Sequence, residues 1–167
     1  MKMKLQNNKL KVHVGRTLEG TLFEIAFLVL AILVWAVIVW LMSRAPETVP
    51  THFNVAGKAD AWGSPSTILF TCIVTTVVGA SLLLAAYFPH TVNLPVEVKT
   101  PRQVALVIRM VRVMALELLL LTLALAFISL GSSIGHESGS VAPVLIVVGL
   151  LLLTCVVFTV LVSRAKS

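Results

Sequence analysis

The sequence predicts an all-α membrane protein: a four-helix transmembrane bundle with a short ordered loop on one face. Two observations carry this. Of 167 residues, 58% are hydrophobic and only 12% charged, against about 25% charged in a soluble domain. A water-soluble core of this size cannot hide so much apolar surface. The apolar residues also gather into four stretches, at 22–42, 66–88, 104–130 and 141–162, each near the roughly 20 residues that a spanning helix needs. One bundle uses the whole chain, 1–167, and leaves no room for a second domain.

Taken in order, residues 1–17 form a basic N-terminal segment. Its "KLKVHVGRTLEG" alternates apolar and polar residues, which fits either a short extended piece on the membrane surface or a solvated tail. The first span, "LFEIAFLVLAILVWAVIVWLM", exceeds the roughly 7–15 residue core of a signal peptide, and "WLMSRAPE" offers no small-x-small cleavage site. It reads as a retained helix. In the second span Thr71, Thr75 and Gly79 recur every four residues, a stripe of small side chains that lets another helix approach closely. Pro89, Pro95 and Pro101 delimit the next connection, and Pro143 falls in the first turn of the fourth span, where its missing N–H costs little. Cys72 and Cys155 lie inside different spans and read as small packing residues rather than a disulfide.

Lys and Arg in the connections set the orientation of a multi-span protein. Eleven of the thirteen basic residues fall in the N-terminal segment, at the start of the third span or just before it, or at the C-terminus. The first loop has only Arg44 and Lys58, and the third, "GSSIGHESGS", has none. Both termini are therefore expected in the cytoplasm, with loop 44–65 outside. On this reading the net charge of +6 faces anionic lipid headgroups and points to no nucleic-acid partner.

The third span, "TPRQVALVIRMVRVMALELLLL", carries Arg109, Arg112 and Glu117. Ionisable groups inside a membrane are costly and by default mark a site. Arg109 and Arg112 lie near the cytoplasmic end, where long side chains can snorkel to the headgroups. Glu24 in the first span sits at similar depth, and a Glu24–Arg109 or Glu24–Arg112 pair is expected. Glu117 lies about three turns in and cannot snorkel far. A polar interior lined by Ser or Thr from another span is one resolution, and a proton-relay or ligand role is another.

The loop "VPTHFNVAGKADAWG" contrasts with everything around it. Pro46 and Pro50 stiffen the exit from the first helix, and Asn54 with Gly57 marks a turn. Extended arms on both sides predict a small β-hairpin over the helix ends. Phe53 and Trp62 suit a membrane boundary, and His52, Asn54 and Asp60 would form a fixed polar cluster. Two readings stand open for that cluster. The side chains bond the loop's own backbone, or His52 and Asp60, with His136 and Glu137 of the third loop, supply a donor set suited to a divalent metal. No cofactor pattern is present.

At "APETVPTHFNVAGKADAWGS" the sequence resembles the family called domain of unknown function 1648. Pro50, His52, Phe53, Asn54, Gly57, Asp60, Trp62, Gly63 and Ser64 match its pattern, and Pro65 stands where the family usually places Lys. The resemblance implies a bacterial multi-span protein of the cytoplasmic membrane, related to the SdpI-type immunity membrane proteins.

Three functions follow as expectations. The outer loop recognises an extracytoplasmic peptide or lipid-like ligand in an immunity or signalling role. Alternatively, His52 and Asp60 act as an acid–base pair in a membrane-embedded enzyme, since such a pair can move protons near neutral pH. Thirdly, the chain transports a solute around Glu117, for which four spans would need a homo-oligomer. The first is the reading the residues favour, because no nucleophile motif or metalloprotease helix accompanies the histidine.

Overall fold

With lipid as solvent, every backbone amide and carbonyl in a span must bond within its own helix, and the four apolar stretches are built that way. The computed structural model describes residues 2–6, 9–54, 56–131 and 140–165, with residues 2–13 described by backbone alone. Helix α1 spans Leu18–Met42, α2 Pro65–Ala85, α3 Pro101–Ala126 and α4 Ala142–Arg164. All four are long and apolar enough to cross a membrane. Strands β1 (Lys2–Gln6) and β2 (Lys9–His13) pair antiparallel before α1. Strands β3 (Val49–Phe53) and β4 (Ala59–Gly63) form the hairpin predicted between α1 and α2. The alternating N-terminal segment is thus extended and folded back on itself, with β2 beside a 3-10 turn at Pro89–Thr91.

Caps move the helix ends away from the bounds of the apolar stretches. Thr17 accepts a bond from the Gly20 amide at 3.0 Å, so α1 starts at Leu18 rather than at 22. Thr100 and Gln103 form a reciprocal capping box that starts α3 at Pro101 rather than at 104. Helix α2 stops at Ala85, short of 88, because Pro89 pushes Phe88 out of helical geometry. Helix α3 runs on through a π-helical turn, Phe127–Gly131.

Helix α3 is the hub. It packs against α1, α2 and α4, whereas α1 and α2 touch each other only slightly. In its most apolar window 44% of residues are buried inside the protein, against 6% for α4, so α3 is the one span largely shielded from lipid. Chain direction alternates from span to span, so α1 and α3 run parallel and α2 and α4 return. Near the β3–β4 hairpin the core is Val34, Ile38, Leu41, Ile68, Cys72, Ala126 and Leu130. At the end carrying the termini it is Ala86, Val104, Ile108, Met110 and Val111.

The α2–α3 seam is close, and the small-residue stripe is partly responsible. An added Cβ at Gly79 would stand 3.3 Å from the Ala115 carbonyl oxygen and 3.3 Å from the Phe27 ring. Thr122 donates to Thr75 Oγ1 at 2.9 Å across the same seam, and Trp35 Nε1–H donates to Thr76 Oγ1 at 3.2 Å between α1 and α2. Thr71 instead bonds the Thr67 carbonyl of its own helix. Cys72 is buried, Cys155 is exposed, and both are free thiols.

Helix α4 docks on α3 through specific polar contacts. Gln103 Nε2 donates at 3.0 Å to the Val162 carbonyl, one of the last-turn carbonyls that lack an intrahelical donor. The other oxygen-bearing arm of the same side chain accepts the Lys99 and Thr100 amides at 2.7 and 2.9 Å. One glutamine therefore starts α3 and fixes the end of α4.

Gly79→Val should wedge α2 from α3 and cost about 1–3 kcal/mol, the usual scale of overpacking. Gly149→Val on α4, where an added Cβ meets nothing within 4 Å, should change stability by less than about 0.5 kcal/mol. Thermal unfolding of the two variants in detergent reads the difference, and equal losses would refute the seam as described.

Candidate functional site

The hairpin is locally determined. Its register pairs Val49 with Gly63, Pro50 with Trp62, His52 with Ala61 and Phe53 with Ala59, with irregular steps on either side of His52. Asn54 organises the turn. Its Oδ1 accepts the Ala56 and Lys58 amides at 2.9 and 3.1 Å, its own amide donates to the Lys58 carbonyl at 2.9 Å, and its carbonyl accepts the Gly57 amide at 2.8 Å. Gly57 has φ +75°, a left-handed conformation that costs glycine little. A Cβ there would also stand 3.1 Å from Val141 Cγ2 at the start of α4. At the other end, Val49 is fully buried among the helix-end core residues, so the hairpin is pinned to the bundle by an apolar plug.

His52 and Asp60 face each other across the strands, with Nδ1–H donating to the Asp60 carboxylate at 2.5 Å and the two side chains 68% and 43% exposed. Among the described residues His52 Nε2 has no partner, so Asp60 orients the ring and leaves its second nitrogen facing outward. Trp62 is 61% exposed, and Phe53 is half-buried. Of the cluster His52, Asn54 and Asp60, only Asn54 bonds the loop backbone. The other two bond each other, which corrects the expectation of a cluster satisfied wholly by main chain. For the metal reading, His136 and Glu137 lie outside the described residues. Among the described residues no group of three or more His, Cys, Asp or Glu converges as a metal site.

The family comparison falls on this element. Residues 29–77 match the family model for "Domain of unknown function (DUF1648)". Residues 29–77 are a DUF1648 domain. The domain comprises the C-terminal half of α1, the β3–β4 hairpin and the first half of α2, and it includes none of the charged residues of α3. No curated protein and no solved structure matches the chain.

The charges outside the DUF1648 domain form a second polar region. Arg109 grips Glu19 with two parallel bonds, Nε to Oε1 at 2.8 Å and Nη2 to Oε2 at 3.2 Å. Glu24 instead accepts the Tyr87 hydroxyl. The expected Glu24–Arg109 or Glu24–Arg112 pair is therefore not formed. That expectation matched residues by depth alone, with the first span beginning at 22 and Glu19 outside it. The Thr17 cap draws Glu19 into the first turn of α1. Side chains on a helix lean toward its N-terminus, so Arg109 on the parallel α3 reaches down to Glu19. Arg112 does not snorkel out to lipid headgroups either. It is 4% exposed and lies inside the protein against α1.

Glu117 faces α4. Thr154 donates to its Oε1 at 2.7 Å, the hydroxyl lining expected from another span. Its Oε2 is buried with no hydrogen-bond partner among the described residues. Sequence reading missed Glu19, Tyr87 and Thr154 as partners. Spacing within one helix cannot reveal a contact between residues 90 positions apart.

Thr154→Val should leave both Glu117 oxygens without a donor and cost about 1–3 kcal/mol. Adding Glu117→Leu removes the unpaired group, so the double variant should recover most of that loss. Unfolding midpoints of the single and double variants decide the matter, and a double variant as unstable as Thr154→Val would contradict the contact.

Proposed function

We propose that this chain is a multi-pass protein of a bacterial cytoplasmic membrane, with both termini cytoplasmic, whose DUF1648 hairpin recognises an extracytoplasmic peptide or lipid-like ligand in an immunity or signalling role. The observation carrying this reading is the His52–Asp60 pair: an exposed imidazole, oriented by a carboxylate at 2.5 Å, on a hairpin whose own turn and buried plug hold it in place. A preorganised polar group beside an exposed tryptophan suits recognition, because little ordering entropy is lost on binding.

The mounting of the hairpin supplies a route for a signal. Val49 is buried among residues of α1, α2 and the end of α3, and Gly57 lies against Val141 before α4. A ligand that displaced the hairpin would have to move helix ends, and helices carry such movement across the bilayer as rigid bodies. The orientation rests on the gathering of Lys and Arg in the N-terminal segment, around the start of α3 and at the C-terminus.

Two experiments test this. A Cys at Asn54 (Asn54→Cys) should react with a membrane-impermeant thiol reagent added outside intact cells, and labelling only from the cytosolic side would reverse the orientation. Deleting the gene should sensitise cells to secreted peptides or envelope stress. His52→Ala, at normal membrane levels, should then fail to restore resistance, with a loss of about tenfold or more for a contact of roughly 1.4 kcal/mol. Unchanged sensitivity on deletion would sink the recognition reading.

A further inference from the structure

We propose that the first turn of α1 and the buried guanidinium of Arg112 together form an anion site for a phosphate group, on the membrane side that carries the chain ends. This inference is independent of the hairpin and of its proposed ligand.

Arg112 is 4% exposed. Its Nη2 lies 2.5 Å, and its Cζ 3.2 Å, from where a Cβ on Gly20 would stand, and Thr17 Oγ1 is 3.2 Å from the same point. The guanidinium thus rests against the first turn of α1, in space that exists only because residue 20 has no side chain. Among the described residues Arg112 makes no hydrogen bond; its Cζ lies over the Phe23 ring at 6.0 Å from the centroid, and the Glu19 carboxylate acts on it only through space. The hydrogen bonds of both acidic residues of α1 go elsewhere, those of Glu19 to Arg109 and that of Glu24 to Tyr87.

The placement is electrostatically inverted. A helix N-terminus carries roughly half a positive charge and favours anions. Here it faces a fixed cation that is nearly out of contact with solvent, and a buried guanidinium whose N–H groups lack acceptors is costly. An oxyanion between the two would relieve both. The donors for it are present. Thr17 satisfies the Gly20 and Thr21 amides, while the Leu18 and Glu19 amides have no acceptor among the described residues. Exposed Arg16 precedes this turn. Leu18 is 80% exposed, so the turn opens outward at headgroup level. Forked guanidinium donors with helix amides match a tetrahedral phosphate. The phosphate can be that of an anionic phospholipid or free inorganic phosphate.

The full chain, delipidated in uncharged detergent, is titrated with phosphatidylglycerol and, separately, with inorganic phosphate. Native mass spectrometry and thermal shift report binding. Saturable binding is expected, weakened about tenfold or more by Arg112→Gln, the loss of one charge-assisted bond. Gly20→Ala, which keeps every charge and pushes the guanidinium from its seat, should weaken binding similarly. It also serves as the test if Arg112→Gln fails to fold. Arg164→Gln, a basic residue at the end of α4, should leave binding unchanged. Arg112-dependent binding of the lipid but not of inorganic phosphate assigns a headgroup, and the converse assigns free phosphate. If Gly20→Ala binds both probes like the unmodified chain, or if Arg164→Gln weakens binding equally, the site does not exist.

Discussion

An unmet charge is costly in a bilayer, and the arrangement of this protein follows from where that cost is hardest to avoid. Only α3 brings both signs of charge well past its first turn, and α3 is the span the other three surround. The helices whose spans are almost purely apolar can face lipid on most of their surface. A helix carrying Arg109, Arg112 and Glu117 cannot. Each of its neighbours offers a polar side chain at the depth where α3 needs one: Glu19 from α1, Thr75 from α2, Thr154 from α4. Apolar packing fills the seams, but these contacts set rotation and depth, because sliding or turning α3 would separate oppositely charged or hydrogen-bonded atoms in a medium with no water to replace them.

The DUF1648 domain obeys a different constraint. It sits where the chain leaves the lipid, and its backbone must be satisfied without a helix. Asn54 does most of this by standing in for main-chain partners on both sides of the turn. That frees His52 and Asp60 from structural duty toward the backbone. A hairpin whose shape is fixed by an asparagine and a buried valine can leave a histidine exposed without relying on it for folding.

Much of this was legible in the residues. Four spans follow from apolar length alone, and the hairpin and its turn follow from Pro50, Asn54 and Gly57. A hydroxyl from another span was one of two resolutions the sequence left open for Glu117, and Thr154 supplies it. What could not be read is pairing between helices. Glu19 looked like a loop residue because the apolar stretch begins at 22, yet the side chain of Thr17 extends the helix backward by a turn. Glu24 looked like the natural partner of the arginines, and Tyr87, just past the observed end of α2, claimed it instead. The hub role of α3 was visible only as an oddity, an excess of charge whose explanation lies in the packing of three other segments.

Among the described residues helix α4 packs chiefly against α3, and two of those contacts are single hydrogen bonds, at Thr154 and at the Val162 carbonyl. During synthesis the first three spans and the hairpin are complete before α4 emerges, so the last segment joins an already assembled unit. The fourth helix is therefore held mainly by its seam with α3, while the part bearing the family motif is anchored on α1, α2 and the end of α3.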